Sequence, residues 1–242
     1  MPKKWFPLES NPEVMADYMR RLGANGNTFE ITDVCGFDED LLAMVSQPVK
    51  AVMLLYPISD ESDKAVKACA ELCKAQSEKA LQNGLWYTHQ TVSNACGTIA
   101  LIHAAVNAIA QGTMGLEDAG GADGVWLRDL IKATADMSPA DRARYIEESD
   151  SLENLHGSAA NQGQSHQEDI NAEINLHFVT FVCHQGQLWE LDGRAPGPIL
   201  RSENCPPDAI LTESAKVIQN YIKMVAEKNP ENALMFAATA LL

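Results

Sequence analysis

A cysteine stands where an apolar helical stretch begins, in Gln90-Thr91-Val92-Ser93-Asn94-Ala95-Cys96-Gly97-Thr98, with a glutamine six residues before it. A thiol at a helix start lies among unpaired N–H groups and the positive end of the helix dipole, which favour the thiolate needed of a nucleophile. Far downstream, His177 opens an apolar run in Leu176-His177-Phe178, and Asp192 closes the next one in Glu190-Leu191-Asp192-Gly193-Arg194. An imidazolium beside Cys96 would stabilise the thiolate further. A carboxylate behind the ring would fix its tautomer and orientation. Gln90, with the backbone N–H of Cys96, could donate to the oxyanion formed when a thiolate attacks a carbonyl. The chain order Cys, His, Asp therefore suggests a cysteine hydrolase. Taken singly, Cys96 reads as a buried small residue, His177 as a satisfied strand histidine, Asp192 as an ordinary turn residue, and Gln90 says nothing.

The elements expected to hold these groups follow from hydrophobic periodicity. Residues 98–109 are apolar nearly all round, which implies a central buried helix carrying His103 and Asn107 as internally hydrogen-bonded residues. Residues 176–183 and 188–191, separated by His184-Gln185-Gly186-Gln187, read as a hairpin that sets His177 and Asp192 on neighbouring strands. Asn11-Pro12-Glu13 caps an opening helix that runs to Gly23. Strands are expected at 28–34, at 49–56 with Pro57 ending it, and at 199–200; a closing strand lies in the apolar tail 233–241. Further helices fit 38–44, 61–81 with uncertain continuity, 125–135, Ser138-Pro139 to 148, and 208–228. Residues 150–172 show no period, so a mobile functional loop leading into the His177 strand is expected. Strands mixed with helices give an α/β (α+β) class in a single domain spanning residues 1–242. The paired acids Glu147 and Glu148 read as a helix face; His89, His156, His166 and His184 read as solvated residues.

Composition narrows the function classes. The net charge of -15 excludes nucleic acid, whose phosphates need clustered Lys and Arg, and anionic membrane surfaces. It favours a basic partner, although acidity also simply maintains solubility. No apolar run approaches the roughly 20 residues that cross a bilayer, and the start lacks a signal peptide's apolar segment. The six cysteines are scattered as reduced thiols would be. Cys69 and Cys73 stand one helical turn apart with no second Cys/His pair at ligand spacing, so no metal site and no cofactor is expected. A cytoplasmic protein, also nuclear, is the resulting expectation.

The motif around Cys96, together with Asn175-Leu176-His177-Phe178 and Leu188-Trp189-Glu190-Leu191-Asp192-Gly193-Arg194, resembles the three active-site motifs of the ubiquitin carboxyl-terminal hydrolases, and in the same order. The similarity extends to residues 5–14, 137–145 and the closing apolar strand, almost the whole chain. The resemblance implies a papain-like fold, a central antiparallel sheet flanked by helices, with a knotted backbone. It makes Cys96 the nucleophile, His177 the general base and acid, Asp192 its orienter and Gln90 the oxyanion donor.

It also implies that a loop crossing the active site, about residues 150–172, limits what can leave the C-terminus of ubiquitin. Ubiquitin-contacting residues would be Pro7, Leu8, Glu9, Ser10, Asn11 and Pro12; Ala160, Asn161, Gln162, Gly163, Gln164, Ser165, His166 and Gln167; and Ala233, Leu234, Met235, Phe236, Ala237 and Ala238. Where the family commonly has asparagine after the phenylalanine of the last strand, this chain has Ala237. The implied partner is ubiquitin, or a close ubiquitin-like modifier, bound by a monomer. Two rivals are a non-catalytic ubiquitin-binding protein of this fold and a papain-like thiol enzyme with an unrelated substrate.

Overall fold

The run Ala51–Pro57 forms strand β2, and its neighbours explain why it is apolar without interruption. Ala51 and Met53 enter one core while Val52, Leu54 and Tyr56 enter another on the opposite face. A strand covered on both sides loses the alternating pattern of a half-exposed one. The computed structural model describes residues 3–118, 125–163 and 175–242. Among these residues the sheet has six strands in the order β1-β6-β2-β3-β4-β5, every pair antiparallel. The remaining strands are β1 (Ile31–Asp33), β3 (Leu176–His184), β4 (Gln187–Leu191), β5 (Ile199–Ser202) and β6 (Ala237–Leu241). β6, last in the chain, enters the sheet between β1 and β2.

Helices cover both faces. On one side lie α1 (Pro12–Leu22), capped by the Asn11 carboxamide and stopped by Gly23 in the left-handed region, and α5 (Cys96–Ala110), buried along almost its whole length against β3 and β2. On the other side, α9 (Ile210–Ala226) packs against β2 and β3. The stretch 61–81 is two helices, α3 (Asp60–Leu72) and α4 (Lys74–Gln82), divided at Cys73. Short α2 (Glu39–Leu42), α6 (Trp126–Ala133) and α7 (Pro139–Glu147) follow the sequence signals, α7 with its Ser138 cap and first-turn proline. No helix among the described residues is long and apolar enough to cross a membrane.

Residues 150–160 are not a loop. They form α8 (Asp150–Ala160), capped by the Ser149 hydroxyl accepting from the Leu152 N–H. Leu152, His156, Ala159 and Ala160 are its buried face, at true helical spacing. The stripe escapes sequence analysis because three of its four residues are histidine and alanine, which carry little hydropathy. The rest of the expected crossing loop, from 164 onward, lies outside the described residues, as do Gln164, Ser165, His166 and Gln167. The expected closing strand also begins later, because Asn232–Leu234 is a 3₁₀ turn and pairing starts at Ala237.

Candidate active site

Cys96 is the first residue of α5. Asn94, at a φ of 62°, turns the chain into the helix in the left-handed region that asparagine tolerates better than most residues. Its side-chain amide donates to the Trp5 carbonyl at 3.0 Å, which ties the turn to the N-terminal segment. No side chain caps α5, so its leading N–H groups remain available to the sulfur. The N–H of Gly97 is used in this way, joined by that of Phe178 from β3. Gly97 is needed for packing, since a Cβ there would stand 2.9 Å from Leu8 Cβ.

His177, the second residue of β3, is paired across the ladder with Tyr56, whose ring stands edge-on at 6.3 Å between centroids. The imidazole interacts with the Cys96 thiol by charge and hydrogen bonding. At the other end Nε2 meets Asp192 Oδ1 at 2.6 Å, and both side chains are 4% exposed. The carboxylate also accepts from the Arg194 N–H at 2.8 Å. Burial by itself would raise the Cys96 thiol, but the hydrogen bond and positive charge of His177, with the two backbone N–H groups, hold it below its ordinary value. Burial would likewise lower His177; the charge and hydrogen bond of Asp192, then those of Cys96, push it up to about 10. Asp192 is held below the ordinary carboxylate range: burial opposes this, and His177 and Arg194 overcome it. The three groups therefore favour a thiolate, an imidazolium and a carboxylate in line, the charge state of an activated thiol nucleophile.

Gln90 approaches from the Asp192 side. Its backbone N–H donates to the Gly193 carbonyl at 2.8 Å, and a Cβ on Gly193 would lie 2.9 Å from Gln90 Cβ. Its amide Nε2 donates to the Val92 carbonyl at 3.0 Å, while Oε1 is buried with no partner. One N–H of the amide is left for another acceptor.

Several residues that the sequence did not single out hold this arrangement. The Tyr87 hydroxyl bonds the carbonyls of Asp192 and Ala195 at 2.8 and 2.7 Å, which fixes the turn carrying the carboxylate. Glu190, fully buried two residues before Asp192, pairs with Arg201 at 2.8 Å and accepts from Tyr221. Tyr221 stacks on Tyr56 at 5.1 Å between centroids, and Tyr56 backs His177. A glutamate inside Leu188-Trp189-Glu190-Leu191 was the available signal for this layer.

His156 corrects the sequence reading: it is 1% exposed rather than solvated. Its Nδ1 lies 2.7 Å from Thr98 Oγ1, its Nε2 lies 2.7 Å from the Phe6 carbonyl, and its ring packs on Trp5. It thereby joins α8 to the first turns of α5 and to the N-terminal segment. His103, by contrast, is the core residue expected, accepting from the Thr88 N–H at 3.1 Å. His89 and His184 are partly buried.

The described residues of the segments named as ubiquitin contacts, 7–12, 160–163 and 233–238, lie near this centre. Leu8 packs over Gly97 beside Cys96, and a Cβ at Gly163 would collide with a Glu9 carboxylate oxygen, so 7–12 and 160–163 adjoin. Phe236 stacks on Tyr56 at 6.2 Å, while Leu234 and Met235 are exposed large apolar residues. Among the described residues no group of three or more His, Cys, Asp or Glu could hold a metal ion.

Residues 5–223 match the sequence model of "Ubiquitin carboxyl-terminal hydrolase, family 1". The chain is 38% identical over 228 residues to Ubiquitin carboxyl-terminal hydrolase 3 of Arabidopsis thaliana, covering 94% of this chain and 90% of that protein. It is 33% identical over 235 residues to ubiquitin carboxyl-terminal hydrolase isozyme L1 of Homo sapiens, covering 97% and 96%. Its fold is similar to the crystal structure of the Trichinella spiralis UCH37 catalytic domain bound to ubiquitin vinyl methyl ester, with a TM-score of 0.72 and 21% identity over 98% of this chain and 94% of that one.

Proposed function

Because the chain belongs to the ubiquitin carboxyl-terminal hydrolase family of thiol-dependent deubiquitinases, we propose that it cleaves bonds formed by the terminal glycine of ubiquitin, using Cys96, His177, Asp192 and Gln90. The observation that carries this reading is the line Cys96, His177, Asp192, with the thiol held below its ordinary value and the imidazole above it. The Cys96 thiolate attacks the glycine carbonyl. The oxyanion is received by the N–H of Cys96 and the free N–H of the Gln90 amide. His177 gives its proton to the leaving amine, and a thioester acyl-enzyme remains. His177 then takes a proton from water, which attacks the thioester and releases ubiquitin. Asp192 stabilises the imidazolium throughout and keeps Nε2 turned away from the sulfur.

The same proposal includes one catalytic domain acting as a monomer on ubiquitin or a close ubiquitin-like modifier. The segments 7–12, 160–167 and 233–238 form the contact surface, and the crossing segment restricts leaving groups to small or unfolded ones. The net charge of -15 supports this choice of partner, since an acidic enzyme approaching a basic face gains association rate by electrostatic steering. A fluorogenic ubiquitin C-terminal amide tests the reading. The native protein should turn it over, and Cys96→Ala should not; equal turnover by both would remove Cys96 as nucleophile.

A further inference from the structure

Two thiols outside the catalytic site meet at the other end of β3. Cys183 is the eighth residue of that strand and His177 the second, so roughly 20 Å of extended chain separates them. Cys205 lies beyond β5, but its N–H donates to the Gly186 carbonyl at 2.6 Å, which draws it back onto the turn between β3 and β4. Cys183 Sγ donates to the Cys205 carbonyl, which sets the two cysteines side by side, and the Cys205 thiol itself reaches the Pro206 carbonyl at 3.9 Å. Cys183 is half-buried and accessible, whereas Cys205 is completely buried behind it. Both are free thiols.

We propose that Cys183 and Cys205 are a hydroperoxide-reactive dithiol that closes to an intramolecular disulfide. The neighbouring Cys205 side chain, assisted by a backbone bond at Gly186 and opposed by burial, lowers the Cys183 thiol from its ordinary value. Reaction begins when Cys183, the accessible sulfur of the pair, gives up the proton it shares with the Cys205 carbonyl, since the thiolate is the reactive form. It attacks one peroxide oxygen and the O–O bond breaks. The departing hydroxide or alkoxide takes up a proton, leaving Cys183 as the sulfenic acid. The Cys205 sulfur then attacks Cys183, forming the S–S bond and breaking S–O; the hydroxide leaves with the Cys205 proton as water. Two electrons have passed from the dithiol to the hydroperoxide. The backbones on either side are already tied through Gly186, so closure calls mainly for side-chain movement. Cys96 is placed differently, with an imidazole and two backbone N–H groups against its sulfur.

The test uses the full chain with Cys96→Ala, so that the nucleophile contributes nothing, exposed to hydrogen peroxide and then alkylated with N-ethylmaleimide. The intact protein should lose two hydrogens in mass and two alkylatable thiols. Cleavage after Arg144, Arg194, Arg201 and Lys216 places Cys183 in 145–194 and Cys205 in 202–216, each the sole cysteine of its peptide. These two peptides should be found joined, and Cys183→Ser or Cys205→Ser should each abolish the joined species while leaving the turnover of the Cys96-containing protein unchanged. A disulfide between other cysteines, or a sulfinic acid at Cys183 with Cys205 still alkylatable, would overturn the proposal. So would full alkylation of both after peroxide treatment. The readout is mass and not turnover, so its failure is distinguishable from failure of the hydrolase reading.

Discussion

Replacing Asp192 with asparagine isolates what its charge does for His177. The amide oxygen can still accept from Nε2, so ring orientation is retained while the negative charge is lost. His177 rises from 6.5 to about 10 in the folded protein, which corresponds to about 5 kcal/mol in favour of the imidazolium at about 1.4 kcal/mol per pH unit. Asp192 is the largest of the groups favouring the cation, ahead of Cys96. If it supplies half of that preference, Asp192→Asn removes about 2–3 kcal/mol, which is about 2 pH units. Because the raised group is cationic below its pKa, activity that needs the imidazolium is present at neutral pH and is lost as pH rises through that value. The alkaline limb of kcat/KM for a ubiquitin C-terminal amide should therefore move from near 10 in the native protein to about 8 in the variant. The pH dependence of Cys96 alkylation by iodoacetamide should shift upward in parallel, since a less populated imidazolium stabilises the thiolate less. An alkaline limb that stays near 10 in Asp192→Asn, whatever the loss in rate, would refute the argument that Asp192 acts through its charge.

Three further substitutions probe the supporting structure. Glu190→Gln leaves Arg201 without its buried carboxylate and should cost about 3–5 kcal/mol in urea unfolding, with much of that recovered by Glu190→Leu combined with Arg201→Met; a loss under about 1 kcal/mol would show that the pair is idle. Gly193→Ala puts a methyl 2.9 Å from Gln90 Cβ and 3.2 Å from its backbone nitrogen, so it should cost about 1–3 kcal/mol. It should also lower kcat while Cys96 remains alkylatable; unchanged kcat would mean that the Gln90 position does not matter. His156→Ala removes bonds to Thr98 and Phe6 and leaves a cavity under Trp5, for an expected loss of about 2–4 kcal/mol by denaturant unfolding. A midpoint equal to that of the native protein would contradict the structural role given to this histidine.

The candidate catalytic groups were legible in the sequence because they are residue types that local signals position. Cys96 follows from where the apolar helix begins, and His177 and Asp192 follow from a hairpin whose turn sits between two apolar runs. β2 and α5 announced their burial by lacking a polar face. What the sequence could not supply were partners brought together from far apart. Nothing local separates His156, locked between Thr98 and Phe6, from a solvated histidine, because its burial depends on Trp5 and Tyr18 arriving from the other end of the chain. α8 was hidden for the same reason, its buried face being made of side chains that carry little hydropathic signal.

Glu190 could be read as a glutamate in an apolar strand. Only the pairing of β4 with β5 and the packing of α9 against the sheet showed it paired with Arg201 and linked through Tyr221 and Tyr56 to His177. Sequence alone therefore determined the candidate reactive groups and the elements that carry them, because those depend on local spacing. The tertiary structure decided which charges those groups hold, because a pKa in a buried site is set by desolvation and by neighbours that distant segments contribute.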